Sequence, residues 1–235
     1  MKFFNRGLYA LILTIFFQTT LVAEYLYKDE VVHNPSFNNE IEKLGEELFT
    51  KTGISLRLVM IRELPANQSI VDYEKSLIQD FSEPTILLTF SELDSKVDIL
   101  ANDTSLYKYF NKKQVLSPVT SAVQAFTMAL FYSDSFESFK EIASNYGGTI
   151  IPLLAGKAKK GNQVGKYSGS MFNGYADIAE QIANSKNIEL DNAIGNANQI
   201  SILVVKTLFY GIILISVIFY IKKKLYLRRQ KLEEK

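Results

Sequence analysis

Residues 85–101 read TILLTFSELDSKVDILA, which is two apolar runs joined by a polar turn. The first run, residues 85–90, carries apolar side chains on both faces, as expected of a central strand. After the turn at residues 91–95, the second run alternates Val97 and Ile99 with Asp98, which is the period of a strand with one polar face. The stretch therefore predicts a β-hairpin within a sheet.

One strand and two helices are predicted before this hairpin. Residues 37–48 carry apolar side chains at helical spacing, after the start signal Asn34-Pro35-Ser36 and before the stop signal Gly53. Residues 54–61 follow as a strand in which Ser55 and Arg57 alternate with apolar neighbours. Ser69 then begins a second helix, with Asp72 closing a capping box.

The chain beyond the hairpin predicts more helix. Two helices are expected over residues 106–146, with Pro118 interrupting them, and a short apolar run follows at residues 150–155. Residues 156–169 hold four glycines and four lysines and predict a loop, and a helix follows that ends near Asn184. The predicted fold class is α/β, a small mixed β-sheet sandwiched between helices, in one domain over residues 24–186.

The N-terminus is typical of a secretory signal peptide over residues 1–23. Lys2 and Arg6 precede an apolar run at residues 8–17, which is too short to span a bilayer. We expect cleavage after Ala23, and an uncleaved anchor is the alternative.

A second apolar segment, residues 200–221, predicts a transmembrane helix. Its 22 residues would span about 33 Å as a helix, and its one charged residue, Lys206, lies near one end. Residues 222–235 form a basic tail that the positive-inside rule places in the cytoplasm. The residues that set this topology are Lys222, Lys223, Lys224, Arg228 and Arg229. A buried core helix, the alternative, would not carry that cluster.

Charge and composition limit the function classes. Residues 24–199 hold 16 Lys/Arg against 23 Asp/Glu, a net charge of −7, which argues against a nucleic-acid groove. The absence of cysteine excludes disulfides and thiolate catalysis, and a single histidine, His33, excludes a multi-histidine zinc site. The composition is typical of a bacterium with an AT-rich genome. We therefore expect a periplasmic domain, joined by a stalk at residues 187–199 to the inner membrane.

The order of elements resembles the TPM domain family. The resemblance lies in residues 40–102, above all in the strand at 54–61 and the hairpin at 85–101, and more weakly in Gly165-Lys166-Tyr167 before the last helix. Membership implies an extracytoplasmic α/β domain with one C-terminal membrane helix. It also implies calcium binding and weak phosphate-ester hydrolysis. The chain departs from the family pattern at Val31-Val32-His33, at Asp94-Ser95-Lys96 and at Asn102-Asp103, where the family places acidic, arginine and glycine residues.

Two groups of side chains are candidate sites. Asp94, Asp98 and Asp103 lie around the hairpin and could supply oxygen ligands to Ca²⁺, although the EF-hand spacing is absent and solvated turn carboxylates are the alternative. The loop at 156–169 has the glycine spacing of a phosphate loop but lacks its Lys-Ser/Thr, so no nucleotide is expected. Its lysines are candidates for contact with anionic headgroups or an acidic partner, namely Lys157, Lys159, Lys160 and Lys166.

Two functions compete. The favoured one is a non-enzymatic accessory module held at the bilayer, which associates with another membrane or envelope protein and needs no cofactor. The alternative is a weak calcium-dependent phosphatase of the TPM type, which the resemblance implies. The sequence predicts neither a nucleic-acid nor a nucleotide partner.

Overall fold

The structure is a computed structural model that describes residues 24–158, 161–193 and 196–233, with the backbone alone for 196–206 and 227–233. The predicted signal peptide, residues 1–23, lies outside the described residues. The chain forms two compact units, divided between Thr104 and Ser105, and each is described by itself.

The first unit contains a four-stranded mixed sheet. Strands β1 (Leu26–Asp29), β2 (Ser55–Ile61), β3 (Thr85–Ser91) and β4 (Lys96–Ala101) lie in that order. The pairs β1–β2 and β2–β3 are parallel, whereas β3 and β4 are antiparallel, with Thr89 opposite Asp98. The mixed α/β class and the predicted hairpin are therefore confirmed.

Helix α1 (Pro35–Thr52) connects β1 to β2 and begins and ends at the predicted signals. The side chain of Asn34 accepts a hydrogen bond from the Ser36 N–H at the first turn. Gly53 ends the helix in the left-handed conformation at φ +72°, which glycine adopts without steric penalty. The backbone N–H of Leu26 donates to the Glu42 carboxylate at 2.8 Å, so α1 also fixes the first strand.

Helix α2 (Ile70–Ile78) connects β2 to β3. The Ser69 hydroxyl accepts from the Asp72 N–H at 3.1 Å and donates to the Asp72 carboxylate at 2.6 Å, so Ser69 is the N-cap of the helix and Asp72 bonds to its side chain. The side chains of α2 bury one face of the sheet. That buried cluster consists of Val59, Ile61, Leu64, Tyr73, Ile78 and Leu87.

Strand β2 is more buried than its sequence predicts. All seven of its residues are buried, including Ser55 and Arg57, which the alternation assigned to a polar face. Arg57 lies on the same face as Val59 and Ile61, the face that α2 covers. Its guanidinium donates to the carbonyl of Glu24 and to the carboxylate of Glu83, both at 2.8 Å. A partnered charge is therefore buried on that face.

The second unit is helical in its described parts. The two helices predicted over 106–146 are four shorter elements in the structure, since residues 117–121 break the run around Pro118. These elements are a 3₁₀ turn (Thr104–Lys108), α3 (Lys112–Val115), α4 (Ala122–Tyr132) and α5 (Phe136–Ser144). They are followed by α6 (Ile151–Ala155), α7 (Gln163–Ser185) and α8 (Asn196–Glu233).

Helix α7 begins earlier than predicted. It starts at Gln163, where the Asn162 side chain accepts from the Gly165 N–H, so the second half of the predicted 156–169 loop is helical. Gly174 lies against Ile150, because a Cβ at this glycine would be 2.1 Å from an Ile150 side-chain carbon. The absence of a side chain at Gly174 therefore permits the close packing of α7 on the residue that precedes α6.

Helix α8 contains the predicted membrane segment, residues 200–221, and also the last four residues of the predicted stalk. The side chains of residues 200–206 lie outside the described ones. In the part of the chain that the structure describes, no helix is both long enough and apolar enough to cross a membrane.

Candidate functional site

The three aspartates that were predicted as metal ligands do not converge on one point. Asp94 lies in the turn between β3 and β4, Asp98 lies within β4 opposite Thr89, and Asp103 follows the far end of that strand. The six residues of β4 alone span about 17 Å. Oxygen ligands of one Ca²⁺ ion must all lie 2.3–2.6 Å from it. A single ion therefore cannot contact both Asp94 and Asp103.

Asp94 has a structural role in the hairpin. Its carboxylate accepts from the Ser91 hydroxyl at 2.6 Å and from the Leu64 backbone N–H at 2.9 Å. These two hydrogen bonds, with the charge of Lys96 as a smaller cause, hold the pKa of Asp94 below its usual range. Asp94 thereby fixes the β3–β4 turn to the segment that follows β2.

Acidic residues that the sequence did not single out lie where the parallel strands end. The Asp29 carboxylate accepts from the backbone N–H groups of Val31, Val32 and His33 at 2.7–3.0 Å, and His33 has a positive φ of 49°. The pKa of Glu30 is lowered, chiefly by the hydrogen bond from Lys28 and to a smaller extent by the hydrogen bond from the Arg62 N–H.

These carboxylates are engaged in fixing turns and strand ends. Within the described residues, no group of three or more His, Asp or Glu side chains is arranged to hold a metal ion. The hydrogen bonds at this edge of the sheet account for the local backbone geometry.

The lysines of the 156–169 segment have different environments. Lys157 is exposed, whereas Lys159 and Lys160 lie outside the described residues. Lys166 donates to the Leu154 carbonyl at 2.9 Å and lies 5.4 Å from the Tyr167 ring centroid. Lys166 therefore stabilises the carboxyl end of α6, a role that the sequence did not predict.

Helices α4 and α5 form a helical hairpin with an exposed apolar surface. The sequence ALFYSDSF at residues 129–136 joins them, with Ser121 and Ser135 capping the two helices. Only the small Ala125 and Ala129 of α4 are buried. The large apolar side chains of this hairpin surface are exposed, and they are Val123, Phe126, Leu130, Phe131, Tyr132 and Phe136.

Helical spacing aligns three of these exposed side chains. Val123, Phe126 and Leu130 are spaced by three and four residues, which places them on one face of α4. Phe131 and Phe136, at the tip, expose 78% and 81% of their surface. The ring of Phe126 also contacts that of Phe139 on α5 edge-on, with centroids 5.6 Å apart, so the two helices are fixed against each other.

The polar residues around the hairpin surface are mainly acidic. Residues 121–145 contain Asp134, Glu137 and Glu141 against a single basic residue, Lys140. The sequence signal for this surface was the apolar run 122–132, in which helical spacing alone does not show whether a face is buried or exposed.

The predicted topology residues lie in α8. Lys222, Lys223 and Lys224 are exposed, and Arg228 and Arg229 continue the helix, with side chains outside the described ones.

The chain was compared with known proteins at three levels. No protein-family model, no curated protein sequence and no solved structure matches it. The function must therefore be argued from the residues and their geometry.

Proposed function

We propose that the chain is a non-enzymatic accessory module, anchored in the inner membrane, whose periplasmic part associates with another membrane or envelope protein. The observation that carries the proposal is the hairpin surface. Six large apolar side chains are exposed within 14 residues of sequence. Contiguous exposed apolar patches on soluble domains mark interaction sites, because leaving them in water is unfavourable.

The energetics favour an apolar partner surface. Full burial of a side chain such as Leu or Phe contributes about 1.5–3 kcal/mol. Aromatic side chains add large contact areas with few rotatable bonds, and they are enriched at the centres of protein interfaces. The hairpin surface provides three phenylalanines, one tyrosine, one leucine and one valine. Phe131 and Phe136 at the tip are the most exposed of the six, so covering them removes the most apolar surface per side chain.

The charge around the surface selects among partners. Three acidic residues border it against one lysine, so it repels a membrane rich in anionic lipid and attracts a partner with a basic rim. We therefore favour a protein whose apolar face is flanked by Lys or Arg over direct insertion into lipid.

The anchor is part of the same proposal. Residues 207–221 of α8 contain no charged residue, and their large apolar side chains are exposed all around the helix. In the sequence, residues 200–206 extend this segment to 22 residues, and Lys222, Lys223 and Lys224 follow it; this sequence pattern is the ground for proposing a membrane helix with a cytoplasmic C-terminus. The TPM-type phosphatase remains an expectation of the resemblance, and no described cluster of side chains favours it.

The test is chemical crosslinking in intact cells, followed by affinity capture of the full-length chain. The variant Leu130→Ser/Phe131→Ser removes two exposed contacts without touching the buried alanines. We expect it to weaken association with a stoichiometric partner about 100-fold, since two burials of about 1.5 kcal/mol are lost. Glu40→Gln, an exposed residue of α1 in the first unit, is the control and should retain the partner. Equal capture by both variants would contradict the proposal.

A further inference from the structure

A second surface feature lies in the segment SLYKYFNKK at residues 105–113. This segment and Gln181 of α7 line a cavity of about 600 Å³ that is open to solvent. The volume is within the range of small-molecule sites. Its lining residues are Tyr107, Lys108, Tyr109, Phe110, Asn111, Lys112, Lys113 and Gln181.

The lining is basic although the region around it in sequence is acidic. Among the described residues that line the cavity, three are lysines and none is acidic, whereas residues 24–199 as a whole carry a net charge of −7. The Lys108 and Lys186 ammonium groups lie 4.7 and 5.1 Å from the centroid of the same Tyr109 ring. Lys113 is 3.8 Å from Glu141, but both side chains are largely exposed, so water screens that pair. Positive charge is therefore concentrated at this cavity.

A hydrogen-bond network holds the floor of the cavity. The Asn111 N–H donates to the Gln181 amide oxygen at 2.8 Å. The Gln181 amide nitrogen donates to Gln114 at 2.7 Å and to Asp177 at 3.0 Å. The Asp177 carboxylate also accepts from the Thr149 hydroxyl at 2.9 Å. Because the Asn111 bond ties the segment to α7, the backbone of the segment is held in place before a ligand binds.

We propose that this cavity binds a phosphate ester, with the phosphate among Lys108, Lys112 and Lys113 and the organic part against the tyrosine rings. A phosphate carries up to two negative charges at neutral pH, so it matches several lysines better than a single carboxylate does. Lysine binds phosphate as a point charge and needs no bidentate geometry. Tyr107 and Tyr109 offer flat apolar faces to a sugar or glycerol moiety.

The phosphate ester could come from a soluble sugar phosphate, a monoester with up to two negative charges, or from a phospholipid headgroup, a diester with one. Both present anionic phosphate oxygens next to an organic group. This site uses no residue of the hairpin surface. Its failure would therefore leave the proposed function intact, and the converse also holds.

The test uses the full-length chain in nanodiscs and measures binding by calorimetry. In phosphatidylcholine nanodiscs we titrate glucose 6-phosphate, with glucose and inorganic phosphate as probes of each half of the ligand. In a second experiment, the nanodiscs contain phosphatidylglycerol instead. Occupancy of the cavity by this lipid is measured as protection of Lys108 and Lys112 from acetylation. Binding of glucose 6-phosphate supports a soluble ligand, and protection by phosphatidylglycerol alone supports a headgroup. If neither binding of glucose 6-phosphate nor protection by phosphatidylglycerol were observed, the proposal would be overturned.

Variants separate the phosphate and organic contacts. Lys108→Gln/Lys112→Gln should weaken binding about tenfold or more, since hydrogen bonds to charged groups are lost. Lys43→Gln, an exposed lysine of α1, should leave it unchanged. Tyr109→Leu should reduce the preference for glucose 6-phosphate over inorganic phosphate while phosphate itself still binds. Unchanged affinity in the double lysine variant would refute the site.

Discussion

Replacing Arg57 tests how the first unit is held together. The Arg57 side chain is 9% exposed and its partner Glu83 is 29% exposed. The guanidinium also stacks over Phe81, 4.3 Å from the ring centroid. The substitution Arg57→Met keeps an unbranched side chain against Phe81, but it removes the hydrogen bonds to Glu24 and Glu83 and leaves the carboxylate without its cation.

The magnitude follows from these contacts. Each hydrogen bond to a charged group contributes about 1.5 kcal/mol at the lower end of the usual range, so two give about 3 kcal/mol. The cation–π contact adds about 1 kcal/mol, and hydration of the partly exposed Glu83 offsets about as much. We therefore expect Arg57→Met to destabilise the unit by about 3 kcal/mol, which corresponds to roughly a 100-fold change in an opening equilibrium.

The pH dependence gives the loss a signature. Burial raises the pKa of Glu83, but hydrogen bonds from its own N–H and from Arg57, together with the Arg57 charge, lower it more, and the net shift is downward. A carboxyl group with a lowered pKa contributes stability above its unfolded pKa, and this is lost as the pH falls through the folded value. The effect of Arg57→Met should therefore be largest at neutral pH and smaller in acid.

The assay is hydrogen exchange of the β2 amides, measured by mass spectrometry on the full-length chain. Protection in β2 should fall about 100-fold in Arg57→Met. Arg62→Met, an exposed arginine just beyond the strand, is the control, because its hydrogen bonds to Glu30 and Leu93 are made by its backbone and survive the substitution. If both variants changed protection by less than about threefold, the reasoning about the buried pair would be refuted.

Three further predictions concern the turns and the exposed surface. Gly148→Ala should destabilise the second unit by about 2–3 kcal/mol in urea unfolding, because the new Cβ would lie 1.8 Å from the Ser117 carbonyl oxygen. Gly169→Ala is the control: its Cβ would have nothing within 4 Å, so the substitution should be neutral or stabilising. Equal effects of the two substitutions would contradict this prediction. Asp94→Asn should lower the urea midpoint at pH 7, and the difference should shrink as the pH falls below the unfolded pKa of about 3.9, since the pKa is lowered in the folded chain and the contribution of the charge is lost on protonation; a pH-independent difference would argue against a role for the charge. Phe131→Ser should leave the thermal midpoint within the change expected of about 0.5 kcal/mol, because the ring is 78% exposed, and a large loss would mean that it belongs to the core.

The local elements of the fold were predictable from sequence because their signals are local. The caps at Asn34 and Ser69 and the stop at Gly53 act within one helical turn, and the structure confirms all three. The hairpin at residues 85–101 was predictable for the same reason, since apolar runs separated by a five-residue turn pair with their neighbours.

The burial of Arg57 could not be predicted in this way. Alternation within β2 places it opposite Leu56 and Leu58, but it does not show that α2 and Phe81 cover that face. Asp29 is similar, because its three backbone hydrogen bonds depend on the turn geometry at His33. Both results depend on contacts between residues distant in sequence or on backbone angles that no spacing specifies.

The candidate site was only partly predictable. The aspartates of the β3–β4 hairpin were grouped by their nearness in sequence, whereas the extended strand β4 separates Asp94 from Asp103. The apolar residues of α4 were visible as a run, but only the tertiary structure shows that Ala125 and Ala129 face inward and the larger side chains face outward.

The most direct test of the hairpin surface as a docking site is site-specific photocrosslinking in living cells. A photoreactive amino acid is placed at Phe131, at Phe136 or at Glu40, an exposed residue of α1 in the first unit. We predict that positions 131 and 136 give the same protein adduct and that position 40 does not. The proposal would be contradicted if positions 131 and 136 gave no protein adduct or adducts with lipid alone. It would also be contradicted if all three positions gave the same adducts.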